Sequence, residues 1–96
     1  MSTAMPPTDS MRMRAEWMVP SDDQILEILR DKGNLTPLAV SEFGGPSRPY
    51  VRERLPKLTK YGLVDRISAG LYQITDDGRA YLDEELDAST LDPIDE

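Results

Sequence analysis

Between Ser47 and Arg66 the chain sets Arg48, Arg52, Arg54, Lys57, Lys60 and Arg66 against only two acids, Glu53 and Asp65. Guanidinium forks and ammonium groups at this density are chemistry for binding anions. A helix that reads a duplex presents short polar groups and guanidinium forks to a groove about 12 Å wide. Ser47, Arg48, Tyr50 and Arg52 fall in the first turns of such a helix. Arginine pairs bidentately with guanine, so Arg52 is expected to read a base edge. Lys57 and Lys60 lie further along and suit phosphates, which position a protein without specifying sequence. Arg54 is nearer the apolar side and has two roles open to it, a phosphate or a neighbouring carboxylate. Glu53 also has two, accepting from a cytosine amino group or holding Lys57 at i+4. Arg66 and Ser68, further on, are candidates for contact with the DNA backbone or a minor groove.

Other chemistry has little support. The chain has no cysteine and no histidine, which removes disulfides, thiolate zinc sites and histidine-based catalysis. The carboxylate pairs Asp22-Asp23 and Asp76-Asp77 and the run Asp83-Glu84-Glu85 fall at helix starts or on a polar helix face. No nucleophile has a base beside it, and Gly44-Gly45-Pro46-Ser47 lacks the lysine of a phosphate loop. The expectation is a protein that is not an enzyme and has no cofactor, metal or evident small-molecule ligand.

The overall charge is -7, which runs against nucleic acid until its distribution is considered. The Ser47–Arg66 island has six basic and two acidic residues, a net +4; the remainder has five basic and sixteen acidic, a net -11. Eight of the eleven basic residues are arginine, and acidic charge with so little lysine resembles the surface of proteins from salt-loving organisms. Ninety-six residues suffice for one domain. No apolar run could span a bilayer and the N-terminus has no secretory pattern, so a cytoplasmic protein is expected.

Five elements must position these residues. Ser21 with Gln24 reads as a capping box, and Asp22 and Asp23 suit the first turn of a helix over 22–32. Its stripe is Ile25, Leu26, Ile28 and Leu29, and Lys32-Gly33 is its stop. Thr36-Pro37 opens a second helix over 37–43, with Leu38, Ala39, Val40 and Phe43 as its apolar surface. Ser47 caps a third over 48–61, ended by Gly62. At about 100° per residue Val51, Leu55 and Leu58 share one face, while Pro49, Glu53, Pro56 and Lys60 take the other. Pro56 predicts a kink or a helix in two pieces. Residues 63–74 read as a hairpin around a three-residue loop, Ser68-Ala69-Gly70. Thr75 caps a last helix over 76–86, with Ala80, Tyr81, Leu82 and Leu86 apolar. Tyr72, Ile74, Tyr81 and Leu82 read as core. Trp17 is either a lid on the core or part of a dimer surface. Residues 1–16 read as a disordered tail with an uncertain start among Met1, Met5, Met11 and Met13, 17–88 as the domain, and 89–96 as an acidic tail.

The order helix, helix, helix, hairpin, helix, with Tyr61-Gly62-Leu63-Val64 after the third helix, resembles winged helix-turn-helix regulators. Gly70-Leu71-Tyr72-Gln73-Ile74-Thr75-Asp76-Asp77-Gly78-Arg79-Ala80-Tyr81-Leu82 is similar to the wing-to-last-helix signature of that superfamily. The Trp17-Met18 lead-in, Ser21-Asp22-Asp23 and the arginine-studded third helix are most similar to the phage phi-H repressor-like proteins of halophilic archaea. The resemblance spans Trp17 to Leu86, and Pro49 and Pro56 depart from the usual recognition-helix pattern. It implies an α+β, mostly helical winged helix fold that binds double-stranded operator DNA, usually as a homodimer, to regulate transcription as a repressor. The rival is a winged helix used for protein contacts, its acidic surface meeting a basic partner. Taken alone, a basic helix is more often a solvated face. Its place third in this order, as the chain's only basic segment, favours DNA.

Overall fold

The computed structural model describes residues 12–94. Of the disordered tail expected over 1–16, residues 1–11, with three of the possible start methionines, lie outside the described residues, as do Asp95 and Glu96. The elements are α1 (Pro20–Lys32), α2 (Pro37–Glu42), α3 (Arg48–Lys60), β1 (Val64–Ser68), β2 (Leu71–Ile74), α4 (Asp76–Leu82) and a 3₁₀ turn over Ala88–Thr90. The expected order of three helices, a hairpin and a fourth helix is borne out.

The helix starts show which local signals dominate. Thr36 Oγ1 accepts from Ala39 N–H at 3.1 Å, and Thr75 Oγ1 accepts from Gly78 N–H at 3.0 Å, so both threonines cap as expected. Ser21 does not. Pro20, whose missing N–H costs nothing in a first turn, takes the first position of α1 and moves the cap to Val19. Asp22 Oδ2 then reaches back to the Val19 N–H at 3.2 Å.

Three helices end on the same closing turn. After α3, Leu63 N–H bonds to Leu58 C=O and Gly62 N–H to Thr59 C=O, both at 3.0 Å, with Gly62 at φ 82°. Gly45 and Gly44 close α2 in the same pattern. At α4 the left-handed position is Glu84, φ 67°, and the Glu85 N–H bonds to Ala80 C=O at 2.8 Å. This stops α4 at Leu82, shorter than the expected 76–86, and no glycine announces it.

Pro56 does not divide α3, which runs as one helix from Arg48 to Lys60. Pro56, Arg52 and Glu53 are all exposed, where water can serve the carbonyl that the proline leaves without a partner.

The hairpin pairs Val64 with Ile74, Arg66 with Tyr72 and Ser68 with Leu71. Ile67 is an extra residue between two pairs, a bulge, so the turn holds only Ala69 and Gly70 rather than three residues. Leu35 adds a one-residue third strand, exchanging N–H···O bonds of 2.9 Å in both directions with Tyr72.

One core joins these elements: Ile25, Leu26 and Leu29 of α1, Val40 of α2, Val51, Leu55 and Leu58 of α3, Leu63 and Val64, Tyr72 and Ile74 of β2, and Tyr81 and Leu82 of α4. Ile28 and Leu86 are only partly buried, and Leu38 and Phe43 of α2 are exposed. Gly78 faces the floor of the wing. A Cβ there would run into the Leu63 carbonyl oxygen and lie 2.6 Å from Ile74 Cγ1.

The domain extends past both expected boundaries. Arg12 and Ala15 are buried, and Met13 C=O accepts from Ala88 N–H at 2.9 Å, so residues 12–16 belong to the domain and not to a tail. At the other end Leu91 packs against the core, and the Ile94 N–H bonds to Lys60 C=O at 2.6 Å. Both segments hold through backbone bonds to residues distant in sequence, which no local pattern announces.

Candidate nucleic-acid interface

α3 is placed by its apolar stripe. Val51, Leu55 and Leu58 are fully buried, which turns Arg48, Pro49, Arg52, Glu53, Pro56, Lys57 and Lys60 outward. Ser47 is the N-cap, but its hydroxyl makes no capping bond. Across the helix–strand corner, Arg66, Ser68 and Ile67 of the wing are exposed too. A groove of about 810 Å³ runs between the two, lined by Pro56, Thr59, Lys60, Asp65, Arg66, Tyr72 and Ile94. The predicted residues Ser47, Arg48, Arg52, Glu53, Lys57 and Lys60 therefore share the outer side of α3, and Arg66 and Lys60 both line the groove.

Two predicted residues point elsewhere. Arg54 Nε donates to Asp22 Oδ1 at 2.9 Å, and its Nη2 donates to Asp22 Oδ2 at 2.8 Å and to Trp17 C=O at 3.0 Å. Asp22 is completely buried. Of the two roles open to Arg54, the structure shows the carboxylate, because the fork is already occupied. The Asp22 hydrogen bonds raise the Arg54 pKa against the opposing effect of burial. Tyr50 is half-buried, and its hydroxyl accepts from Ser21 Oγ at 3.2 Å. Both residues tie the outer face of α3 to the start of α1. Sequence reasoning misses that tie, because Ser21-Asp22-Asp23 reads locally as a helix start; an acid pair preceding an arginine on the apolar edge of α3 is the signal that could have found it.

Asp23 anchors a second buried network. Its carboxylate accepts from Tyr81 Oη at 2.8 Å and from Arg12 and Arg14 at 3.4 Å each. Arg12 also pairs with Glu27 at 2.6 Å and donates from Nε to Leu82 C=O at 2.9 Å. Burial opposes the Arg12 charge, but Glu27 and Asp23 outweigh it and its pKa lies above the usual value. Burial, reinforced by the bond to Asp23, pushes the Tyr81 hydroxyl well above its ordinary 10.0. Trp17 stacks on Tyr61, ring centroids 4.3 Å apart, so it lies against the end of α3 as a lid.

The ion pairs sort the cations. Arg12, Arg14, Arg30, Arg54 and Arg79 each hold a carboxylate. Among the described residues, Arg48, Arg52, Lys57, Lys60 and Arg66 hold none, and Glu53 makes no ion pair with Lys57. Lys32 lies over the Phe43 ring, 5.1 Å from its centroid. The uncommitted cations of an acidic chain are thus gathered on one helix face and the adjoining strand. Among the described residues no three Asp, Glu, His or Cys side chains converge as a metal site. No helix there is long and apolar enough to cross a membrane.

A helix pair leading into an outward basic helix, followed by a two-stranded hairpin and a closing helix, defines a winged helix-turn-helix domain of the DNA-binding regulatory kind. The chain belongs to the winged helix-turn-helix phage repressor family, which matches residues 11–93. It is similar to the crystal structure of the PhiH1 repressor-like protein from Haloarcula marismortui, at 35% identity and a TM-score of 0.79, covering 96% of this chain and 100% of that one. No curated protein matches the chain.

Proposed function

We propose that the protein is a sequence-specific regulator of transcription, a repressor, that binds double-stranded DNA with α3 in the major groove and the β1–β2 wing on the flanking backbone. The observation that carries this is the segregation of charge. Among the described residues, five cations without ion pairs line α3 and β1, while the arginines elsewhere are paired. A cation with no internal partner gives up no intramolecular bond when it meets a phosphate, so its counterion release goes wholly to binding. Membership of a repressor family supports the regulatory reading.

Arg48 and Arg52 head the outward face and are the base readers, with guanine edges as their natural partners. Glu53, unclaimed by Lys57, accepts from a cytosine amino group. Lys57, Lys60, Arg66 and Ser68 hold backbone, and Ser47 offers its hydroxyl at the helix start. Tyr50 shapes the edge of the face from its tether on Ser21. Arg54 acts indirectly, by fixing α3 on α1. A two-fold dimer would place two such helices about 34 Å apart, one turn of DNA.

Footprinting on genomic fragments, followed by titration of the protected duplex and of a scrambled duplex at several salt concentrations, tests the reading. A protected site bound at least ~10³-fold more tightly than scrambled DNA is the expected result. Equal, salt-labile binding to both would remove sequence specificity. No binding to either would leave a winged helix that meets proteins.

A further inference from the structure

We infer that Trp17 is a positioning residue for DNA recognition: the lead-in to α1 braces α3 along its length and fixes the angle at which Arg48 and Arg52 are presented. The inference rests on the reading of α3 as the base-reading helix.

The core alone leaves that angle under-determined. Val51, Leu55 and Leu58 hold α3 by apolar burial, which has no directional preference. The directional contacts come from the stretch Trp17 to Asp22. Tyr50, in the first turn of α3, accepts from Ser21 Oγ at 3.2 Å. Arg54, midway, donates from Nη2 to Asp22 Oδ2 at 2.8 Å and to the Trp17 carbonyl at 3.0 Å. Tyr61, the C-cap of α3, stacks on the Trp17 ring, with centroids 4.3 Å apart and planes inclined by 21°. The stretch therefore runs in the opposite sense to α3 and touches its start, its middle and its end.

The brace is itself anchored. Ala15 and Met18 are buried, and the Met13 carbonyl accepts from Ala88 N–H at 2.9 Å. Arg12 donates from Nε to the Leu82 carbonyl at 2.9 Å and pairs with Glu27 at 2.6 Å. Trp17 is where this anchored segment meets α3 twice, through its carbonyl and through its ring.

An angle matters more for bases than for phosphates. A group about 6 Å from a helix axis moves by about 1 Å when the helix rolls by roughly 10°. Such a shift breaks a hydrogen bond to a base edge, whereas the flexible stem of a lysine follows a phosphate. Recognition groups need to be held within about 0.5 Å and 10–20°. Loosening the brace lowers affinity for the operator and spares the sequence-independent part of binding.

The test compares wild type with three single variants. Trp17→Leu keeps apolar cover without a ring to stack, Trp17→Phe keeps a ring, and Tyr61→Leu removes the same stack from the other side. Affinities for the footprint-protected duplex and for a scrambled duplex of the same composition are measured by fluorescence anisotropy. Circular dichroism checks folding and light scattering checks mass. Trp17→Leu and Tyr61→Leu are each expected to lose about two- to tenfold on the protected duplex, the population shift that one aromatic pair supports. Affinity for the scrambled duplex should stay within about twofold, because phosphate contacts carry it. Trp17→Phe should recover most of the loss, and the Trp17→Leu/Tyr61→Leu double variant should lose no more than either single one. A merely structural ring would lower the melting temperature and leave the ratio of the two affinities unchanged, and that result overturns the inference. Equal loss on both duplexes, or a Trp17→Phe protein as weak as Trp17→Leu, overturns it too. So does a changed mass, which would make Trp17 an assembly residue. If Trp17→Leu does not fold, Tyr61→Leu decides in its place. A wild type that protects no fragment removes the base-reading assignment of α3 and the inference with it.

Discussion

Arg54 and Asp22 form a two-bond fork between α3 and α1, Nε to Oδ1 at 2.9 Å and Nη2 to Oδ2 at 2.8 Å, with Asp22 completely buried. The pair separates two arginines only two positions apart: Arg54 orients the helix and Arg52 faces solvent. Removing one partner of a buried pair strands the other, which costs about 3–5 kcal/mol. Arg54→Ala is therefore expected to lower unfolding free energy in urea by about 3 kcal/mol, at the low end because its guanidinium is partly solvated. Arg52→Ala should stay within about 0.5 kcal/mol of wild type. Equal stability of the two variants would remove the orienting role. An Asp22→Leu/Arg54→Met variant should recover much of the loss, since no charge is then left unpaired.

How far these roles could be read from sequence follows from the distance between partners. The face of α3 was legible because Val51, Leu55 and Leu58 repeat at helical spacing and bury together, so the outward residues follow by elimination. The wing was legible from two β-prone runs around Gly70, although the Ile67 bulge that shortens its loop was not. Asp22 and Asp23 read as dipole partners at a helix start. Their actual partners, Arg54 and Tyr81, lie 32 and 58 positions away, and periodicity carries nothing over such separations. The same limit explains Arg12, whose bond to Leu82 spans 70 positions and draws an expected tail into the domain. The end of α4 was hidden for a local reason: its closing turn uses Glu84 where the other two use glycine.

Gly78 should not tolerate a side chain. It is buried in α4, and a methyl group there would overlap the Leu63 carbonyl oxygen and crowd Ile74. Alanine gains up to about 1 kcal/mol in helix propensity but loses about 1–3 kcal/mol or more to overpacking. The loss prevails because the obstacle is backbone, which cannot swing aside as a side chain can. Gly78→Ala is expected to melt lower, by roughly 4–8 °C for each kcal/mol of net loss. An unchanged or higher melting temperature would mean that α4 can lift off the wing freely.

Tyr81 predicts a loss of stability in alkali. Its hydroxyl is buried and donates to Asp23, so its pKa in the folded protein stands above the unfolded value of 10.0. Above pH 10 the unfolded chain releases the phenolic proton while the folded chain keeps it. The unfolded state then binds fewer protons, and stability falls as pH rises towards the folded pKa. Below pH 10 the contribution is fully present. Tyr81→Phe has no proton to lose, so its stability should fall less steeply in alkali than that of wild type, although it is less stable at neutral pH. Parallel curves of urea midpoint against pH for the two proteins would show that the hydroxyl is not linked to folding.

Lys60 and Arg52 should separate affinity from specificity. Arg52 lies on the outward face of α3 with no ion pair, where a fork can take a guanine edge; Lys60 lies in the groove beside Arg66, where a phosphate would pass. Arg52→Ala should cost about 1–3 kcal/mol on the operator and relax preference at one base position. Lys60→Ala should weaken operator and random DNA alike and reduce the log–log salt slope by about one unit. The acidic remainder of the chain, five basic against sixteen acidic residues, repels the duplex, and added salt screens that repulsion together with the attraction. The wild-type slope should therefore be shallower than its unpaired cations would give alone, with operator binding persisting at high salt. Titrations of all three proteins against operator and scrambled duplex, across potassium chloride concentrations, read both quantities from one data set. If neither substitution alters affinity or slope, the outer face of α3 is a solvated surface, and the partner of this winged helix is a protein.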